Sequence, residues 1–207
     1  TLDPAGNAYV TGRTTCAGLP VGSTLGPGGG TDVLVFKWRP DGDGALYVTC
    51  VGGAGIDTGS AIAVDAAGNA YVAGATASNN FPLASPLQNS YGGSAGLSVG
   101  DAMLFKLDPT GSTLLYSTYL GGVRDDFAQS VAVDKTGAAW VAGITQSAAF
   151  PNTGGQTVTD GVLTAFLMRL APTGSTLWNA WFLAPVPTGA KFSVALDTVQ
   201  PAQGVYL

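Results

Sequence analysis

Short runs in which apolar and small polar residues alternate fill this chain almost from end to end. A period of two is the mark of half-buried β-strands. The runs come in sets of four, here lettered a to d. Strand a is read as Ala61-Ile-Ala-Val-Asp65, Ser130-Val-Ala-Val-Asp134 and Ser193-Val-Ala-Leu-Asp197. Strand b is the Tyr-Val or Trp-Val segment after a Gly-Asn or Gly-Ala turn, as in Gly68-Asn-Ala-Tyr-Val72. Strand c comprises Val33 to Trp38, Met103 to Leu107 and Phe166 to Leu170, and strand d Ala45 to Val51, Leu114 to Leu120 and Thr176 to Leu183. Asp, Pro, Thr and Gly fill the turns between c and d, where Asp bonds to amides ahead of it and Gly supplies positive φ.

The sets are copies of one another. Asp65-Ala-Ala-Gly-Asn-Ala-Tyr-Val-Ala-Gly-Ala-Thr76 is echoed from Asp134 to Thr145 and from Asp3 to Thr14, with a worn fourth copy from Asp197 to Leu207. Those aspartates are 62, 69 and 63 residues apart, and Lys37, Lys106 and Arg169 step by the same 69 and 63. A four-stranded unit cannot bury both of its faces alone, so such units stack on copies of themselves around an axis. The fold predicted is all-β, a β-propeller segment of about three four-stranded antiparallel blades. Residues 1–52 supply strands b to d, 60–121 and 129–183 two further blades, and 192–207 the start of a fourth.

Ala102 to Gly111, Tyr116-Ser-Thr-Tyr-Leu-Gly-Gly122 and Ile62 to Gly74 resemble the bacterial SBBP-type, seven-bladed β-propeller repeat. The blade order is similar to that of NHL propellers. The resemblance implies a ring of six to eight blades. It weakens in the third copy, where Asn179 to Leu183 replaces the Tyr-Ser-Thr-Tyr-Leu motif and the Gly-Gly pair is lost. Three blades do not close a ring. The mid-repeat ends lead us to expect further blades in a longer polypeptide, with completion between several chains as the alternative.

Composition narrows the chemistry. Net charge is −5, with eight basic residues scattered singly, so a nucleic-acid footprint is not expected. No apolar run is long enough to span a membrane as a helix. Histidine is absent, which removes the commonest general base and zinc ligand. The acidic, Gly- and Ser-rich composition suits an extracellular or cell-surface protein. Cys16 and Cys50 are either two small buried hydrophobes or one disulfide. Strands b and d of one blade lie about 10 Å apart, so no bridge is expected unless the loop folds back over c.

Strand parity puts the short a–b and c–d turns at one end, and the b–c and d–a connections at the other. The long b–c loops, Thr15 to Thr31, Ala77 to Gly100 and Gln146 to Thr159, mark this second end as the place for ligands. Phe81-Pro82 and Phe150-Pro151 recur there in register, which favours loop anchors over ligand contacts. Tyr91 is unmatched in other copies and is a freer aromatic candidate. Asp57 and Asp126 are read in the d–a loops, with Arg124 and Asp125 beside the latter, and Asp32 and Asp101 lead into strand c. Such carboxylates could hold Ca²⁺, but capping of their own loops is the simpler expectation, and no cofactor is expected. Arg124-Asp125-Asp126 could serve acid/base chemistry, although sequence neighbours point apart. Asp41-Gly-Asp43-Gly resembles the opening of an EF-hand loop but lacks the later ligands, and it aligns with an ordinary c–d turn. Trp178 and Trp181, three apart, are expected on opposite faces of their strand, one exposed and one between blades.

The function expected is a non-enzymatic extracellular scaffold that binds protein or glycan, with Tyr91, Asp57, Arg124, Asp125 and Asp126 as candidate contacts. Two rivals stand beside it. One is a subunit that self-associates through unfinished blades, and the other a propeller lyase or hydrolase whose site lies in blades outside this chain.

Overall fold

The computed structural model describes residues 1–20, 22–93 and 100–196 and the backbone of residues 205 and 206. The first sheet has the order β1-β3-β4-β2, formed by β1 (Ala8–Thr14), β2 (Ser23–Leu25), β3 (Asp32–Trp38) and β4 (Ala45–Val51). The second is β5 (Asp57–Val64), β6 (Ala70–Thr76), β7 (Asp101–Leu107) and β8 (Leu114–Leu120), adjacent in that order. The third repeats it with β9 (Asp126–Val133), β10 (Ala139–Thr145), β11 (Thr164–Leu170) and β12 (Leu177–Leu183). A fourth begins as β13 (Ala195–Leu196) paired with β14 (Val205–Tyr206). Asp197 and Gly204, read as parts of the fourth copy, lie outside the described residues.

The sheets stack as blades, and the second blade buries apolar residues on both of its faces. Tyr9, Val33, Val35 and Val51 pack on Val72, Met103, Phe105 and Leu107 of the second blade. On the other side of that blade, Tyr71, Leu104, Tyr116 and Leu120 pack on Val141, Phe166, Met168 and Leu170 of the third. Each seam is also pinned by hydrogen bonds. The Tyr9 hydroxyl donates to the Gly68 carbonyl, and Tyr71 donates to Gly137 in the same way, both at 3.2 Å. Thr49 Oγ1 donates to the Gly111 carbonyl at 2.6 Å.

At the short-turn end each blade carries the same ion pair. Lys37 meets Asp3 and Lys106 meets Asp65, both at 3.2 Å, while Arg169 meets Asp134 at 2.6 Å. The cations also lie over Tyr9, Tyr71 and Trp140. Burial raises the aspartate pKa, but bonds from Asn7 and Lys37 outweigh it and hold Asp3 at about 2. Thr136, Arg169 and Trp140 likewise hold Asp134 at about 2 against its burial. Between β3 and β4, the Asp43 amide donates to Asp41 Oδ1 and the Arg39 amide to the Gly44 carbonyl, so Asp41-Gly-Asp43-Gly is a hairpin turn.

Three expectations are corrected. Strand a starts four residues earlier than its alternation suggested, so Asp57 and Asp126 are the first residues of β5 and β9 and not loop residues. Bulges explain the misreading. Ser60 is skipped between the pairs Gly59–Gly74 and Ala61–Ala73, and Gln129 between Ala128–Gly143 and Ser130–Ala142, which breaks the period of two. A bulge also overturns the reading of Trp178 and Trp181. Leu177 and Asn179 pair with successive residues of β11, so Trp178 is the extra residue. Both tryptophans lie on one face and are exposed, Trp178 over the Arg169 guanidinium and Trp181 stacked on Trp140.

The third correction is the disulfide. Cys16 and Cys50 are bonded, with Cα atoms 6.4 Å apart. After β1 the chain turns at Cys16, in the left-handed region at φ 60°. It then crosses the end of β3 and lays β2 parallel on the outer edge of β4. That crossing removes the width of strand c from the distance. The other b–c loops also cover strand d. Ala84 and Ser117 exchange backbone bonds, and Gln156 accepts from the Phe182 amide through Oε1. An open edge strand is thereby blunted in each blade.

Candidate functional site

The loop-rich end is organised by two aspartates per seam. Asp126, at the start of β9, accepts hydrogen bonds from the hydroxyls of Thr145 and Ser147 and from the Gly122 amide. Asp57 repeats this with Thr76, Ser78 and the Gly53 amide. Both are fully buried. Their hydroxyl donors sit at the end of strand b and two residues beyond it, so each aspartate ties the d–a loop to the b–c loop. Burial pushes Asp126 up to about 6 in spite of those bonds.

The second aspartate opens strand c. Asp101 Oδ2 accepts from the Gly92 amide at 2.8 Å and from Gln88 Nε2 at 3.4 Å, while its buried Oδ1 has no partner among the described residues. Burial, and then the nearby charge of Asp126, pushes Asp101 up to about 7. Asp32 is its counterpart in the first blade, again with a buried, unpartnered Oδ1 and a pKa raised by burial and Asp57. A side chain on Gly121 would collide with the Asp101 carboxyl, and one on Gly52 with that of Asp32. Hence aspartate and glycine pair occur together. The third blade has Thr164 in the aspartate position and Ala184-Pro185 after strand d.

The candidate contacts therefore do not form one cluster. Asp57 and Asp126 are sealed in the seams. Arg124 forms a two-point pair with Asp160, Nε to Oδ1 at 2.8 Å and an Nη2 to Oδ2 at 2.7 Å. Asp125 accepts from the Gly100 amide at 3.4 Å. Tyr91 is half-buried, its ring 5.8 Å from that of Tyr119, and its hydroxyl also borders Gly100. Tyr91 and Asp125 thus flank one glycine, whereas Arg124 turns away. Phe81 and Phe150 are buried anchors, packed on Phe105 and Phe166 respectively. Among the described residues, no three Asp, Glu, Cys or His side chains are grouped to hold a metal ion.

What the sequence reading missed is a groove of about 580 Å³ on the rim between the second and third blades. The b–c loop of the second blade supplies Gln88, Asn89 and Ser90 on one side, Asn152 stands opposite, and Gly121-Gly122 lie along the floor. Asp101 holds that floor from beneath through Gly92 and Gln88, whose Oε1 accepts from the Gly121 amide at 3.0 Å. None of the described lining residues is charged. The signal available in sequence was the Gly-Gly pair, which marks close backbone approach; the amides opposite it carried no repeat signature.

Residues 46–82 match the family model of the SBBP beta-propeller repeat. This chain carries an SBBP repeat. The match runs from β4 through β5 and β6 to the Phe81-Pro82 anchor. It therefore spans one seam and its Asp57 network, and the three four-stranded sheets are propeller blades. No curated protein matches the chain.

Proposed function

We propose that the SBBP-repeat chain is a non-catalytic, extracellular or cell-surface propeller scaffold that binds a glycan in the rim groove between its second and third blades. The observation that carries the reading is the character of that groove. Gln88, Asn89, Ser90 and Asn152 line it with Gly121-Gly122, beside an apolar part made by Leu87, Val123, Pro151 and Leu177, and none of the described lining residues is charged. Neutral polar groups on a rigid base suit the hydroxyls of a sugar, whose binding needs many hydrogen bonds and no counter-charge. Asp57 and Asp126 are tied up by hydrogen bonds in the seams and Asp160 is paired with Arg124, which supports a binding role. The Cys16–Cys50 bridge supports an oxidising location outside the cytosol.

Glycan-array binding of the purified chain, repeated with Asn89→Ala and Ser90→Ala, tests the reading. Both side chains are exposed, so the variants should fold as the parent does. Array signal that falls at least tenfold in the double variant supports the proposal. Binding only to a protein ligand, or glycan binding that ignores both substitutions, overturns it.

A further inference from the structure

The seam between the second and third blades has a second opening, at the short-turn end. A pocket of about 460 Å³ lies where the a–b turns of these two blades meet, and Asp65, Lys106, Asp134 and Lys135 line it. It shares no lining residue with the groove. Both turns belong to complete four-stranded blades.

The two carboxylates of this pocket are already filled. Asp65 Oδ1 accepts from the Ala67 and Asn69 amides, and its Oδ2 accepts from Asn69 Nδ2 and the Tyr71 hydroxyl and meets the Lys106 ammonium at 3.2 Å. Asp134 is filled in the same way by Thr136, Ala138, Trp140 and Arg169. The ammonium groups are less engaged. Lys106 has three N–H donors for one carboxylate and the Tyr71 ring, whose centre is 4.6 Å from its nitrogen. Lys135 is exposed and has no ion-pair partner among the described residues. With Asp65 matched by Lys106 and Asp134 by Arg169, the charge of Lys135 stays uncompensated at the pocket.

The equivalent pocket of the first seam shows that this charge is particular to the second. That pocket, of about 260 Å³, has Lys37 and Asp3 in the places of Lys106 and Asp65, and Pro109 in the place of Pro172. Its facing turn presents Ala66 where the second seam presents Lys135. Asp108 precedes Pro109, whereas Ala171 precedes Pro172. A cation is gained and an anion is lost, both in the direction of positive charge. The turn itself does not need the lysine, since the Ala67 and Thr136 amides reach their aspartates alike.

Beside the cations the lining is apolar, made by Val64, Val133 and Pro172 with Ala66 and Ala67. One net positive charge matches a carboxylate and leaves a phosphate dianion undercompensated. An apolar wall suits an apolar side group, and it leaves the hydroxyls of a sugar acid without partners. We propose that this pocket binds a free carboxylate that carries an apolar side group, as at the C-terminus of a peptide ending in an apolar residue. The carboxylate takes the spare donors of Lys106 and the charge of Lys135, and the side group covers Val64, Val133 and Pro172. Capture of a terminal carboxylate is an established mode of peptide recognition.

Amide chemical shifts of the isotope-labelled chain, titrated with N-acetyl-leucine, test this. Saturable shifts at Ala66, Ala67, Thr136 and Gly137 are expected. N-acetyl-leucinamide, which lacks the charge, should bind at least about tenfold more weakly, as the loss of a charge-assisted hydrogen bond implies. Lys135→Ala, at an exposed residue, should weaken binding of the acid about three- to fivefold with an unchanged circular dichroism spectrum, and Lys135→Glu should weaken it further. Equal binding of acid and amide, or an affinity that ignores both substitutions, overturns the proposal. Glucuronate binding as tightly as N-acetyl-leucine overturns it too, as do saturable shifts confined to other residues or none at all.

Discussion

Asp101→Asn is the substitution that separates the loop-end aspartates most sharply. Asp101 is fully buried, its Oδ1 has no partner among the described residues, and its pKa stands at about 7. The groups facing it are Asp126 from the next blade, Asp125 beside that residue, and the Tyr91 and Tyr119 hydroxyls. A pKa raised above the unfolded value means that the native state keeps a proton the unfolded chain has lost. Stability is therefore highest at acid pH and falls as pH rises from about 4 to about 7, by about 1.4 kcal/mol per pH unit. Between pH 5 and 7 this amounts to about 3 kcal/mol. Asp126, at about 6, acts with the same sign. Asp3 and Asp134, held at about 2, contribute fully above pH 4 and lose their contribution only as the pH falls through about 2. Their terms are flat across the window. Asparagine keeps the size and an acceptor for the Gly92 amide but cannot ionise. Urea unfolding followed by circular dichroism between pH 5 and pH 8, at one protein concentration, should give a falling stability for the parent chain. Asp101→Asn should show a much shallower fall. Parent stability that stays level or rises over this range would refute the reasoning, as would a variant that keeps the full slope.

Two other tests probe what holds the blades. Reducing the Cys16–Cys50 bridge, or replacing Cys50 with Ser, frees a segment closed over a sequence separation of 34. It should destabilise the chain by about 3 to 4 kcal/mol in the chain-entropy model, and a melting temperature indifferent to reductant would contradict the clasp. Gly111 has φ of 70°, and a side chain there would strike the Tyr47 ring across the first seam. Gly111→Ala should cost about 2 kcal/mol or more. Gly154→Ala, with φ of 91° and open space around it, should cost only the backbone strain of about 1 kcal/mol. Equal losses in the two variants would show that the seam contact carries no weight.

Much of the blade was legible because its determinants are local. Asp65, Gly68 and Asn69 close a turn by bonds within a few residues, and an alternating strand declares which residues share a face. Repetition did the rest, since Lys37 and Lys106 meet their aspartates in the same way wherever the pattern returns. Phe81 and Phe150 were readable as anchors for that reason. The starts of β5 and β9 were not, because the bulges at Ser60 and Gln129 interrupt alternation without any composition of their own. The same limit hid the shared face of Trp178 and Trp181.

The sequence alone determined the repeat, the strands, the turn chemistry and the propeller fold, all of which follow from spacing and local conformational preference. Only the tertiary structure decided what the repeats do to one another. It crossed a loop over β3 and so brought Cys16 to Cys50, and it sealed Asp57 and Asp126 between blades. It left Arg124 to Asp160, and it set Gln88, Asn89 and Asn152 around a glycine floor. Each outcome depends on the path of a loop or on the stacking of two sheets. Those distances are summed over the whole chain, and no window of neighbouring residues contains them.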